Sequence, residues 1–360
     1  LISRVMAPGL ESSGTRELST SLDEEADETI AIKKVNIGTR RSALALVQAQ
    51  LIQNLLRKAH PKIEFEIHAM ATMGDKNQVI ALNEFGAKSL WTYELENKLL
   101  EGKLDIIVHC LKDMPTKLPD KCAIGCIMER EDPRDVVVMK KGLDYASLCE
   151  LPDGAVVGTS SLRRSAQIKK NYPHLKLKDV RGNIGTRLDK LDARDGEYSC
   201  LVLAAAGIKR MGWDERITQY LDTKTGRDHH YAVGQGALAI EIREDDEKII
   251  KILSGFGDKK STLATMSERS LMRTLEGGCS VPIGVESTWI EPGKLLLKAI
   301  VINSDSTISI QAERLGELHH LDEADDLGRK VAYDLIEKGA TRILQEFRLS
   351  RSVGNVNNKT

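Results

Sequence analysis

From Lys33 onward, short apolar runs alternate with segments of helical spacing. Residues 35–39 predict a strand, and Arg40-Arg41-Ser42 opens a helix whose apolar positions Leu44, Val47, Leu51 and Leu55 recur every three or four residues. Residues 65–70 alternate as a second strand. A polar connection through Gly74-Asp75-Lys76 leads to a helix over 88–100 carrying Trp91, Leu95 and Leu99. Residues 104–110 are almost continuously apolar, the pattern of a strand buried on both faces. Strand, helix, strand, helix, strand predicts right-handed βαβ units on a largely parallel sheet.

A second such series begins after Pro133. Residues 135–139 and 155–158 read as strands, and Thr159-Ser160-Ser161 caps a helix over 162–170. A strand over 176–180 leads through Arg181-Gly182-Asn183 into a helix with Ile184, Leu188 and Leu191. A buried strand over 201–204 ends at Ala205-Ala206-Gly207, and 238–242 is a strand able to return to the first unit. From Asp246 the pattern changes to helices over 246–255 and 261–275, strands over 294–302 and 307–311, and a closing helix over 322–347. The fold class predicted is α/β, with two βαβ lobes and a small α+β C-terminal domain. The limits follow as a disordered leader 1–32, a first lobe 33–130 with 229–245, a second lobe 131–228, a third domain 246–349 and a disordered tail 350–360.

Composition narrows the class of protein. A chain of 360 residues exceeds one ordinary core, and 41% hydrophobic with 29% charged residues is the balance of a globular protein. No apolar run approaches the roughly 20 residues that cross a bilayer. With 52 basic and 53 acidic residues, overall charge points to neither nucleic acid nor membrane as partner, and it favours a monomer. The cysteines Cys110, Cys122, Cys126, Cys149, Cys200 and Cys279 form no disulfide framework, which fits a reduced, cytoplasmic compartment. Cys122 and Cys126 lack companions at zinc spacing, so no metal is expected. Residues 1–30 are rich in Ser, Glu and Asp, which argues against a transit peptide.

Three features could carry chemistry. In Glu276-Gly277-Gly278-Cys279-Ser280-Val281-Pro282-Ile283-Gly284, glycines and a proline surround one thiol, so the sulfur is displayed on a loop instead of packed as a small hydrophobe. A nucleophile and a redox sensor remain open readings, as does a thiol without function. Asp113, after the 104–110 strand, would project at the carboxyl end of a sheet, where ligands of open α/β folds bind. It could stabilise a cation or move a proton, and it could equally serve the turn. The stretch 163–187 holds Arg163, Arg164, Lys169, Lys170, Lys176, Lys178, Arg181 and Arg187 against Asp179 alone. Its lysines read as a solvated face. Its arginines, with Arg40 and Ser42, suit a ligand bearing several carboxylates or phosphates. Gly234-x-Gly236 is too short for a dinucleotide fingerprint, and the pairs His229-His230 and His319-His320 read as surface residues.

Six segments together resemble the hydroxymethylbilane synthase family, also called the porphobilinogen deaminases. They are Gly38-Thr39-Arg40-Arg41-Ser42-Ala43-Leu44-Ala45, Val108-His109-Cys110-Leu111-Lys112-Asp113-Met114-Pro115 and Val157-Gly158-Thr159-Ser160-Ser161-Leu162-Arg163-Arg164. Val180-Arg181-Gly182-Asn183-Ile184-Gly185-Thr186-Arg187, Tyr231-Ala232-Val233-Gly234-Gln235-Gly236-Ala237-Leu238 and Leu275-Glu276-Gly277-Gly278-Cys279-Ser280-Val281-Pro282 follow in family order. The resemblance implies two lobes like those of periplasmic binding proteins and a third domain carrying a cofactor loop. It implies a transferase that joins four porphobilinogen molecules head to tail with loss of ammonia, water then releasing hydroxymethylbilane for haem and related tetrapyrroles. The thiol matching Cys279 would hold a dipyrromethane cofactor through a thioether, as a primer that stays bound.

The same resemblance implies roles for individual residues. Asp113 would be catalytic. Arg40, Ser42, Gln48, Lys112, Arg163, Arg164, Arg181, Arg187 and Arg210 would bind substrate and cofactor carboxylates, with Gly182 beside them and Thr159, Ser160 and Ser161 as hydroxyl and backbone donors. Two positions depart from the family pattern: Cys110 stands where Ser is usual, and Tyr93 where Lys is common. The alternative from another class is a non-catalytic, two-lobed binding protein for a polycarboxylate anion, for which the fold alone would suffice.

Overall fold

The computed structural model describes residues 32–71, 89–224, 227–275 and 282–347, with the side chains of 89–91 excepted. The expected leader, the polar connection at Gly74, the C-terminal tail, Cys279 and the side chain of Trp91 lie outside the described residues.

The first sheet contains β1 (Lys34–Arg40), β2 (Glu64–Met70), β3 (Ile106–Cys110), β4 (Cys122–Ile127) and β10 (Leu238–Arg243) in the order β2-β1-β3-β10-β4. Strands β2, β1 and β3 run parallel, while β10 is antiparallel to both of its neighbours. Helix α1 (Ala43–Ala59) joins β1 to β2, and α2 (Ser89–Leu100) precedes β3. The second sheet has the same plan. Strands β5 (Asp135–Met139), β6 (Val156–Gly158), β7 (Lys176–Lys178), β8 (Cys200–Ala204) and β9 (Gln219–Leu221) are ordered β7-β6-β8-β5-β9, with β5 antiparallel to β8 and β9. Its helices are α3 (Leu162–Asn171), α4 (Ile184–Asp192) and α5 (Ala205–Arg210).

Each lobe receives its antiparallel strand from the other. Strand β5 is entered from β4, and β10 from β9, so the chain crosses between lobes twice. The crossings touch closely: Gly236 has φ +89, and a Cβ there would stand 2.3 Å from the Glu131 carbonyl oxygen. Only glycine meets both conditions.

Beyond β10 come α6 (Glu247–Ile252) and α7 (Lys259–Thr274), then the antiparallel sheet β11 (Ile283–Glu291), β12 (Lys294–Ile302), β13 (Ser309–Glu317), covered by α8 (Leu321–Glu337). Helix α7 is buried from Ser261 to Met272 although more than half of that stretch is polar, because α8 lies directly on it. A Cβ on Gly328 of α8 would sit 2.2 Å from the Ser267 carbonyl oxygen, so that glycine sets the helix spacing.

Several sequence expectations need correction. In α1 the buried face is Gln48, Ala49, Ile52 and Leu56, whereas Leu51 and Leu55 are 46% and 39% exposed. Leu44, Val47, Leu51 and Leu55 satisfy the same period one residue out of phase, and the period alone does not choose between neighbouring stripes. Strands β4, β9 and β11 were not anticipated. Strand β4 is buried at all six positions, and its Cys and Gly residues hide the usual β-branched signature. Strand β13 is longer than expected, and the closing helix breaks after Glu337, where Gly339 takes φ +98, before a second helix over 340–347. His229 and His230 are not surface residues: they are 1% and 2% exposed. His319 and His320 do lie at the surface.

Candidate functional site

Strand carboxyl ends gather the expected residues. Arg40 ends β1 and Ser42 is the N-cap of α1, while β3 runs directly into a 3-10 turn, Leu111–Asp113, that presents Lys112 and Asp113. Strands β1 and β3 are parallel neighbours whose onward connections, to β2 and to β4, lead in opposite directions across the sheet, so this end is a topological switch point, the usual crevice for a ligand. In the second lobe the equivalent ends carry Thr159–Ser161 after β6, Arg181 and Gly182 after β7, and α5 with Arg210 after β8.

Short local bonds shape the second-lobe loops. The Thr159 amide donates to the Lys178 carbonyl oxygen at 2.9 Å, the Ser160 hydroxyl donates to the Val180 carbonyl oxygen at 2.7 Å, and the Ser161 side chain accepts from the Arg164 amide as the cap of α3. Asn183 caps α4 by accepting from the Thr186 amide at 2.9 Å. The Arg187 Nε donates to the Gly182 carbonyl oxygen at 2.8 Å. Arg181 lies 3.6 Å from the Asp179 carboxylate.

The lobes meet through charge. Arg187 is pushed down to about 10 by burial and then by the Arg164 guanidinium, with Asp113 acting the other way. Lys112 is lowered by burial; Asp113 opposes the shift and Arg164 adds to it. Arg210 is lowered by burial, against the Cys110 thiol and Glu131, and donates to the Gly236 carbonyl oxygen at 2.6 Å. A cation of each lobe, Lys112 and Arg187, therefore feels the Asp113 carboxylate at a place partly withdrawn from water. Gln48, 3% exposed, lies beside Cys110, its amide nitrogen 3.1 Å and its oxygen 3.3 Å from the sulfur. Burial, then Asp113, raise the Cys110 thiol, so it stays protonated and can donate to that oxygen.

Arg163 and Arg164 are placed differently from what an anion-binding helix terminus suggests. Both are 6% exposed and tied to Asp135, which sequence reasoning passed over. Asp135 is fully buried and accepts from Arg163 Nη1 at 2.6 Å, Arg164 Nη2 at 2.7 Å, His229 Nε2 at 2.9 Å and Gln235 Nε2 at 2.8 Å. Burial alone would raise its pKa, but Arg163 and Arg164 outweigh burial and hold it well below the carboxylate range. The Gln235 amide oxygen accepts from Lys112 Nζ at 3.4 Å, so one side chain links the first-lobe turn to the second-lobe arginines. The available signal was a lone acid heading the apolar run Val136-Val137-Val138.

A second buried carboxylate ties the third domain to the crossings. Glu268 of α7 accepts from Arg130 Nη1 at 2.7 Å, the Gly234 amide at 2.8 Å and the Ser287 hydroxyl at 2.6 Å, with Arg130 stacked 5.0 Å over Tyr231. Among the described residues no cluster of His, Cys, Asp and Glu could hold a metal, and no helix is long and apolar enough to cross a membrane.

Geometry of this kind defines a class, the two-lobed α/β proteins with a cation-lined crevice at their strand ends. Known proteins narrow it. The family model described as porphobilinogen deaminase, dipyromethane cofactor binding domain, matches residues 35–251, and that of the porphobilinogen deaminase C-terminal domain matches 262–337. Porphobilinogen deaminase of Neurospora crassa is 53% identical over 89% of this chain and 96% of its own. That of Yarrowia lipolytica is 51% identical over 90% and 96%, and that of Saccharomyces cerevisiae 48% over 88% and 98%. The chain belongs to the porphobilinogen deaminase family. Among solved structures, the periplasmic VFT2 domain of Bordetella pertussis BvgS covers 66% of this chain and 92% of its own, at 13% identity and a TM-score of 0.36, too distant to carry an argument.

Proposed function

We propose that the protein is a transferase that condenses four porphobilinogen molecules head to tail, releasing ammonia, to give hydroxymethylbilane, with Asp113 as its catalytic carboxylate and Cys279 as the anchor of a covalent dipyrromethane. The observation that carries this reading is that the Asp113 carboxylate acts electrostatically both on Lys112 of its own turn and on Arg187 of the opposite lobe.

The donor set fits a dipyrromethane. Each pyrrole carries an acetate and a propionate, and Lys112, Arg187 and Arg210 are all cations lowered by burial, which a bound carboxylate would relieve. Arg40, Ser42, Thr159, Ser160, Ser161, Arg181 and Gly182 stand on the same strand ends and, with Gln48 of α1 beside Cys110, would hold the remaining carboxylates. Arg164 contributes charge from behind Lys112, and Arg163 braces it through Asp135. When bound, the dipyrromethane supplies the primer on which product is assembled.

Positive charge develops on porphobilinogen as ammonia departs from its aminomethyl arm. Asp113 stabilises that charge at close range and exchanges a proton with the leaving amine. Lys112 and Arg187 hold the ring by its carboxylates, which fixes the arm against Asp113. Gln235 orients Lys112 at 3.4 Å.

Sheet membership supports lobes at 33–130 with 229–245 and at 131–228, with a third domain within 246–349, although Ile249, Ile252 and Leu253 of the α6 segment pack into the first-lobe core. The free thiols Cys110, Cys122, Cys126, Cys149 and Cys200 among the described residues support a reduced, cytoplasmic setting, and the reading keeps the protein a monomer. Intact mass decides the anchor: purified protein carries a two-pyrrole adduct and Cys279→Ala does not, and an unmodified wild type overturns the assignment. Asp113→Ala keeps the fold and loses about 10²–10⁴ in porphobilinogen turnover, and near-normal turnover removes its role. Reversible ligand binding without porphyrin absorbance after oxidation would favour the polycarboxylate-binding protein.

A further inference from the structure

Behind the Lys112–Asp113 turn lies a buried polar group that the proposed reaction does not use. His109 of β3 is separated from Lys112 by two residues, and its Nε2 lies 2.7 Å from Glu241 Oε2 of β10, with side chains 5% and 0% exposed. Glu96 of α2, 3% exposed, faces the same space. Neither Glu96 Oε1 nor Glu241 Oε1 has a hydrogen-bond partner among the described residues. Thr92 of α2 bonds to Glu96, and both acids act on the Cys122 thiol of β4, as Arg243 of β10 does with opposite sign. On strand β1, Gly38 lies against Leu95 and Leu104.

Two carboxylates and one imidazole in an apolar wall cannot all be comfortable. The imidazole can neutralise one acid, and the other is costly as a charge with an unpartnered oxygen. We propose that Glu96, His109 and Glu241 are positioning residues: a proton held by Glu96 keeps α2 seated on β3 and β10, and so fixes where the turn bearing Lys112 and Asp113 stands.

Physical chemistry sets the direction of the effect. Burial, followed by the Glu241 charge, raises Glu96 to about 7, against Thr92 and His109. Loss of its proton sets two like charges facing each other from α2 and β10. Helix α2 ends where β3 begins, Arg243 bonding the carbonyl oxygens of Leu99 and Leu104 at 2.8 and 2.6 Å, so its first turns lie toward the catalytic end of the strand. The repulsion therefore acts on the part of the lobe that supports Lys112 and Asp113.

The inference rests on the proposed catalytic reading only for its kinetic arm. Full-length holoprotein and Glu96→Gln are compared from pH 5.5 to 8.5 by thermal midpoint and by kcat for porphobilinogen. The wild-type midpoint falls through pH 7 while that of Glu96→Gln does not, and wild-type kcat shows an alkaline loss near pH 7 that the variant lacks while KM is unchanged. Equal pH slopes of the midpoint overturn the shared proton, and equal kcat profiles overturn the positioning role. Should Glu96→Gln fail to fold, infrared titration of the wild type decides, because a carboxylic-acid carbonyl band must vanish near pH 7 and its absence at pH 6 refutes the inference. No turnover by wild type would refute the catalytic reading and leave the midpoint and infrared arms intact.

Discussion

Asp135 and Glu96 are both carboxylates almost without exposed surface, 0% and 3%, yet their surroundings drive them in opposite directions. Asp135 faces two guanidinium groups, an imidazole and an amide, and remains ionised well below the usual range. Glu96 faces a second carboxylate and moves up to about 7. Burial disfavours charge at both sites, so it cannot be what separates them. The sign of the nearest full charge decides.

Asp135→Ala breaks the comparison most severely. It leaves Arg163 and Arg164 buried with no carboxylate between them, so a loss of about 3–5 kcal/mol is expected in urea unfolding. A loss below about 1 kcal/mol would mean that the guanidiniums find other partners at no cost. Asp135→Asn keeps the shape and removes the charge, which separates packing from electrostatics.

Glu96→Gln acts in the opposite sense. The folded pKa lies above the ordinary 4.5, so the native state keeps a proton that the unfolded chain has released between that value and about 7. The stabilising linkage is fully present below 4.5 and is lost as pH rises through 7. The variant removes this dependence, gaining up to about 3 kcal/mol over the wild type at pH 8 relative to pH 4, measured by urea midpoints at each pH. An unchanged difference across that range would show that Glu96 titrates normally.

His229→Ala sharpens the Asp135 side by removing one donor and no net charge, because burial lowers the imidazole below its ordinary value and keeps it neutral. A loss of about 1.5–3 kcal/mol is expected, smaller than for Asp135→Ala, because both guanidiniums remain. An equal loss would mean that the second crossing, and not the charge pair, dominates the site.

Much of this fold was legible because strand and helix periods are local. Runs such as Ile106–Cys110 and Lys294–Ile302 announce buried strands, and Ser161 and Asn183 announce helix starts by chemistry that acts within one turn. Strand β4 was not legible: Cys122, Gly125 and Cys126 carry no strand preference, and its place at the end of the sheet beside β10 depends on residues more than a hundred positions away. The stripe on α1 was misread for a related reason. Leu51 and Leu55 repeat as faithfully as Ile52 and Leu56, and only the sheet beneath selects between them.

The sites divide along the same line. Asp113, Lys112 and the second-lobe arginines stood out because strand ends and cationic runs are visible in the chain. Arg163 and Arg164 looked like ligand groups because nothing near them in sequence is acidic, and Asp135 lies 28 and 29 residues away. His229 and His230 looked exposed because a polar pair in a loop ordinarily is.

By itself the sequence determined the order of elements, the α/β class, the residues set at strand ends and the family to which they belong. Tertiary structure alone decided which charges are spent inside the molecule, since Asp135 and Gln235 are 100 residues apart and Glu96 meets Glu241 only through the sheet. Periodicity and capping are short-range, whereas the charge state of a buried group depends on whatever the fold brings within a few ångströms.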